Sequence, residues 1–138
     1  MANTIHLQVA SPERQVYEGE VRTVQVPAAD GYLGVLPGHA PLIAELGAGV
    51  MTFVDSTGKT LYLMVYQGLL EVLPDRVRVL TSQALWASEV DIERAKVQLD
   101  RATDLFHEHD YEADVEEALA AAERAKARIE AYNAWKNA

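Results

Sequence analysis

Cysteine is absent from the 138 residues, which excludes disulfides, thiolate nucleophiles and sulfur-ligated metals. Basic residues are scarce as well. Twelve Lys and Arg stand against 21 Asp and Glu, a net charge of −9 that repels a nucleic-acid backbone and an anionic membrane surface. No apolar run approaches the ~18 residues a membrane-spanning helix needs, and Met1-Ala2-Asn3-Thr4-Ile5-His6 lacks the basic-then-apolar pattern of a secretory leader. Direct membrane insertion is therefore not expected, and any membrane association should come through a partner. Glycine and proline are missing from Trp86 to Ala138, so all eight Gly and five Pro fall in the first part of the chain. That absence divides the sequence in two.

What is present suits a buried core: 49% of residues are apolar and 24% charged. The length fits one compact domain with an appendage. In residues 4–9, apolar Ile5, Leu7 and Val9 alternate with polar His6 and Gln8, the period of a half-buried strand. Runs rich in β-branched and aromatic residues recur at 21–26, 50–54, 61–66, 69–73 and 77–80. Turn chemistry separates them: Asp30-Gly31, Pro37-Gly38, Ser56-Thr57-Gly58-Lys59 and Pro74-Asp75. Residues 1–84 are thus expected to form a mainly β sandwich or barrel.

Residues 85–138 read as an antiparallel α-helical hairpin. Ile92, Ala95, Leu99, Ala102 and Phe106 fall at steps of three and four, as do Val115, Ala118, Ala122, Ala125, Ile129 and Tyr132. The polar stretch His107-Glu108-His109-Asp110-Tyr111 supplies the connection. Ser88 is a candidate cap for the first helix, with Glu89, Asp91 and Glu93 opposing its dipole, and Asp114, Glu116 and Glu117 do the same for the second. The stripes are narrow and alanine-rich. They suit a partner at close range but offer little apolar area, which describes an arm that is readily exchanged between partners.

Charge in this half is polarised. Residues 85–138 hold seven basic and 13 acidic groups, and residues 104–117 contain seven carboxylates with no Lys or Arg. Arg94 and Arg101 are seven apart on one helix, and Arg124 and Arg128 four apart on the other, so closing the hairpin converges four guanidiniums. Phosphate oxygens would relieve their repulsion. The plainer alternative is that the arginines pair with Glu89, Asp100, Glu123 or Glu130 along the helix surfaces.

Catalytic chemistry is not marked out. Gly58-Lys59-Thr60 resembles the end of a P-loop, but Phe53 stands where the first glycine belongs, so the triplet reads as a turn. His107 and His109 beside Glu108 and Asp110 have metal-ligating side chains, yet a polar connection reads more simply as a solvated loop, and no metal site is expected. His39, flanked by Pro37, Gly38 and Pro41, sits in a rigid turn that either presents it to a partner or bonds its ring to the loop backbone.

Gly31-Tyr32-Leu33-Gly34-Val35-Leu36-Pro37-Gly38-His39-Ala40-Pro41-Leu42 resembles the glycine-rich signature of the F-type ATP synthase epsilon subunits, and Gln67-Gly68-Leu69-Leu70-Glu71-Val72 resembles a second motif of that family. The resemblance implies a sandwich of about ten strands followed by the helical hairpin. It further implies a non-catalytic rotor subunit at the cytoplasmic face of a bacterial cell membrane. There the sandwich would bind the gamma subunit and the c-ring, with Tyr32 and His39 among the partner contacts, and the extended arm would reach the catalytic alpha and beta subunits and inhibit ATP hydrolysis. Some relatives bind ATP in the folded hairpin through an Ile/Leu-Asp-x-x-Arg-Ala motif and further arginines. Here Val90-Asp91-Ile92-Glu93-Arg94-Ala95 matches except at its first position, and Arg101, Arg124 and Arg128 fall at the corresponding spacings. The resemblance thus implies ATP, with or without magnesium, as a regulatory ligand of Asp91, Arg94, Ala95, Arg101, Arg124 and Arg128, with no cofactor required. Leu85 stands where such relatives carry a glutamate. A free-standing ATP-binding sensor and a small β-sandwich enzyme are the competing readings. The first predicts a monomer that never co-purifies with ATPase subunits, the second convergent acid, base or metal groups within residues 1–84.

Overall fold

The computed structural model describes residues 3–108 and 112–138. Six strands come first: β1 (Ile5–Ala10), β2 (Gln15–Ala28), β3 (Gly31–Val35), β4 (Leu42–Asp55), β5 (Thr60–Val72) and β6 (Arg76–Trp86). A 3-10 turn, Ala87–Glu89, leads to helices α1 (Ile92–Glu108) and α2 (Glu112–Lys136). The strand order is β1-β6-β5-β4-β2-β3 with a further β1–β2 pairing, so five strands close a flattened ring and β3 pairs with β2 alone. β1 closes the ring by running parallel to β6, Leu7 opposite Val77, and antiparallel to β2, Leu7 opposite Gly19.

The turns form where glycine and proline place them. Gly31, Gly38 and Gly58 all have positive φ, and Asp55 Oδ1 accepts hydrogen bonds from the Thr57 and Lys59 amides, so residues 55–59 are a tight turn and not a phosphate loop. The strand count is lower than the expected ten or so. β2, β4 and β5 run 14, 14 and 13 residues, and each changes the side it turns inward part-way along. In β5, Leu63 and Val65 point into the core before Gln67 and Gly68, whereas Leu70 and Val72 do so after them. In β4 the inward set passes from Leu46 to Met51 and Phe53. One continuous strand therefore reads as two runs of opposite parity, 61–66 and 69–73.

The β5 reversal is a backbone kink. Gln67 has φ 56° and Gly68 φ 130°, while pairing with β6 keeps its register on both sides. A Cβ at position 68 would lie 2.0 Å from the Leu80 carbonyl oxygen, so only glycine fits. Buried Thr81 braces the bend from β6. Its hydroxyl accepts from the Tyr66 amide at 3.3 Å and shares its single proton among the carbonyls of Gln67 (2.8 Å), Gln83 (3.0 Å) and Tyr66 (3.1 Å).

Two separate apolar clusters result. The ring is filled by fully buried Leu7, Val9, Val21, Val26, Met51, Leu63, Val65, Leu70, Val77 and Val79, each contributing on the order of 1.5–3 kcal/mol. The second cluster lies outside it, where Ala127 and Ala131 of α2 rest on Val50, Met64 and Tyr66 of the outward faces of β4 and β5. In the hairpin, Ala95, Ala102, Ala118 and Ala125 of the expected stripes are all buried. Alanine on both sides of α2 thus gives the helix two contact surfaces, and this explains why its polarity is nearly uniform around its axis.

Candidate functional site

The motif residues cluster where the arm meets the end of β6. Trp86 anchors the junction by packing on Tyr17 and Phe53, with ring centroids 6.3 and 6.1 Å away. The 3-10 turn then takes up residues 87–89, so Ser88 does not cap α1. Asp91 does, since its Oδ1 accepts the Arg94 amide at 3.1 Å and its carbonyl the Ala95 amide at 2.9 Å. These two bonds set the start of α1 and the position of Arg94. Ala95 is 1% exposed, and its small side chain permits the close approach of the helices.

Three of the four arginines come together. Arg128, half-buried, is held below the usual guanidinium range by burial and then by the positive charges of Arg124 and Arg94. Its Nη2 donates to the neutral Gln83 Oε1 at 3.3 Å. Arg124 lies 5.4 Å over the Tyr66 ring and reaches Glu117 at 3.2 Å. Arg101 is exposed, one helical step of seven beyond Arg94, and is not part of this charge coupling. Among the described residues, Arg94, Arg101 and Arg128 have no carboxylate within ion-pair distance. Of the carboxylates expected to neutralise them, Glu89 is committed elsewhere, to Arg14 at 2.9 Å.

Arg128 borders a pocket of about 330 Å³, shared with Met64, Gln83, Leu85 and the Ser11, Glu13 and Arg14 side of the β1–β2 turn. Its walls are formed by the sandwich end, with Arg128 the arm's contribution. Leu85 supplies an apolar wall of the pocket that Arg128 borders. Gln83 and Arg14 line this pocket, while Tyr66 lies under Arg124. None of the three carried a motif; Tyr66 and Gln83 are brought there by β5 and β6, and Arg14 by the β1–β2 turn.

The proposed partner contacts lie elsewhere. His39 Nδ1 donates to the Ala40 carbonyl at 2.8 Å, so the ring is bonded to its own loop, at the rim of a groove formed with Ile5, Leu36, Val72 and Pro74. Tyr32 is 54% exposed, and its hydroxyl accepts the Val50 amide at 3.2 Å. Among the described residues no group of three or more His, Asp and Glu is placed to hold a metal. The His107–His109 pair and the Asp114 capping role fall outside the described side chains.

A closed β body carries a docked helical arm, and among the described residues Arg94 and Arg128 have no carboxylate within ion-pair distance. The family profile of the ATP synthase delta/epsilon chain β-sandwich domain matches residues 4–87. The ATP synthase epsilon chain of Solibacter usitatus is 49% identical over 129 residues, 94% of this chain and 96% of that one. That of Moorella thermoacetica is 40% identical, with 95% and 98% covered. A chain of the Euglena gracilis mitochondrial ATP synthase superposes with TM-score 0.83 at 21% identity, covering 91% of this chain and 79% of that chain. A chain of the Tetrahymena thermophila mitochondrial ATP synthase central stalk and c-ring gives 0.58 at 10% identity, with 93% and 96% covered. This chain belongs to the ATP synthase epsilon-chain family.

Proposed function

We propose that this chain is a non-catalytic central-stalk subunit of a proton-translocating F-type ATP synthase whose helical arm restrains ATP hydrolysis and is held folded by ATP. The sandwich is the fixed part, docking to the gamma subunit and the c-ring. The arm is the variable part, folded on β4 and β5 or extended towards the catalytic alpha and beta subunits. Attachment to the cytoplasmic face of a bacterial membrane then runs through the complex. Among the described residues no helix is long and apolar enough to cross a membrane.

One observation carries the ATP-sensing step: the charges of Arg94 and Arg124 act on half-buried Arg128 at the sandwich–arm junction, and among the described residues its side-chain partner is the neutral Gln83 amide. Like charges gathered in a partly desolvated site are unfavourable until an anion joins them. A polyphosphate supplies charge-assisted acceptors in the geometry guanidiniums fit best. Because the pocket sets Arg128 of the arm against the sandwich end, a ligand there binds the folded arm better than the extended one, and that difference is what shifts the equilibrium.

Calorimetric titration of the full chain with Mg-ATP tests the reading. One site is expected, weakened about ten-fold or more by Arg94→Ala or Arg128→Ala. A native chain that binds no nucleotide defeats ATP sensing but leaves the stalk role, which is tested separately by co-purification with the gamma subunit.

A further inference from the structure

The chain passes from the sandwich to the arm through residues 87–91, and one side chain from a distant turn reaches across that joint. Arg14 sits at the β1–β2 turn, where residues 11 and 14 exchange backbone hydrogen bonds. Its Nη2 donates to Glu89 Oε1 at 2.9 Å and lies 3.5 Å from the Ala84 carbonyl. The same Glu89 oxygen accepts the Trp86 amide at 3.0 Å, which closes the 3-10 turn over the end of β6. Arg14 and then the Trp86 amide hold the Glu89 carboxyl below its usual range against the opposing effect of burial. Upstream, Trp86 is fixed in its aromatic cluster; downstream, Asp91 starts α1. Glu89 lies between these two fixed points.

We propose that the Arg14–Glu89 pair is a hinge latch that holds the 87–89 turn in the geometry of the folded arm, so that opening the pair frees α1 and α2 from the sandwich. The inference rests on the reading of residues 85–138 as a movable arm. A turn tied at both ends sets the direction in which α1 leaves the body. With Glu89 released, the turn loses both its cap and its tether. Both side chains are about 40% exposed, so the pair is accessible to water and its contribution is small. A weak tether of this kind biases an equilibrium without freezing it.

Hydrogen–deuterium exchange on the full chain, resolved by peptide, tests the latch. Arg14→Met and Glu89→Gln should each raise exchange of α1 and α2 amides roughly two- to five-fold while leaving those of Leu7, Val9, Val77 and Val79 unchanged. The double variant should exchange no faster than Glu89→Gln alone, as one shared interaction requires. Ala127→Glu, which drives a carboxylate into the docking face, is the reference for an undocked arm. If Ala127→Glu frees the arm but Arg14→Met and Glu89→Gln do not, the latch is refuted and the movable arm stands. If Ala127→Glu raises exchange equally in arm and sandwich, the arm is no separate unit, and both ideas fall. Faster exchange throughout the sandwich in the Arg14 variant would also overturn the latch, since it would mark a general loss of stability.

Discussion

Replacing Arg128 with methionine should leave the empty protein nearly unchanged and destabilise the nucleotide-loaded one. Methionine keeps an unbranched apolar stem against Met64 and Leu85, so most of the packing survives. Removing the charge relieves an i,i+4 repulsion with Arg124 of about 0.2–0.5 kcal/mol and a similar cross-helix repulsion with Arg94. Against this stands the hydrogen bond to Gln83, about 1 kcal/mol at most for a 3.3 Å contact. The terms nearly cancel, so the empty variant should melt within about 2 °C of the native chain. In the loaded state the variant lacks a charge-assisted bond to phosphate of about 1.5–3 kcal/mol, which corresponds to a ten- to hundred-fold weaker Kd. Differential scanning calorimetry with and without saturating Mg-ATP reads both quantities in one experiment. Native and variant melting should coincide without ligand and separate with it. A variant that melts much lower when empty yet keeps the full ligand-induced shift would refute the reasoning, because Arg128 would then be a structural residue.

Gly68→Ala forces a Cβ against the Leu80 carbonyl in a backbone region alien to alanine, and should cost roughly 3 kcal/mol or more in chemical denaturation, the strain falling on the sandwich. Thr81→Val conserves shape but strips the kink of its hydroxyl, and about 1–3 kcal/mol of lost stability is expected. His6 has Glu20 at 2.9 Å from Nδ1 and Glu18 at 2.9 Å from Nε2, so both nitrogens must carry protons to satisfy both carboxylates. Its pKa is raised, chiefly by these bonds. Because the folded value lies above the unfolded one, the stabilisation is complete below about pH 6.5 and fades as pH rises through the folded pKa. Proton NMR titration should find His6 titrating higher than an ordinary histidine, and lower in Glu18→Gln; an unshifted native titration would contradict the arrangement.

The parts of the fold that were legible in the sequence are those with a local cause. Glycine and proline placed the turns at 30–31, 37–38, 56–59 and 74–75, and three-and-four spacing placed the helices. The strand pattern was harder to read because alternation presumes that a strand keeps one face to the core. β4 and β5 change faces together, at Gly47 and at Gln67-Gly68, so each presents two short runs. β3, five residues with glycine at both Gly31 and Gly34, has too little alternation to register. The second alanine face of α2 was hidden because alanine is favoured in any helix, whether or not it touches anything. Helical spacing called for four guanidiniums to converge, whereas Arg101 is exposed and only Arg94 and Arg124 act on Arg128. Gln83 as the partner of Arg128 was not foreseeable, since that contact depends on which end of the ring the arm folds over. Ser88 was expected as the cap and Asp91 takes that place, because a 3-10 turn occupies residues 87–89.

The parallel pairing of β1 with β6 bears on how the molecule carries load. Tension on the arm enters the body at Trp86, along the axis of β6. That strand is paired with β5 along almost its whole length and with β1 over residues 76–80, so a pull along it loads the β5 row in shear from Trp86 inward and the β1 row as well over its first half. A ladder loaded in shear shares the force among all its rungs. The body is therefore strongest against a pull in the direction in which its own appendage would tug.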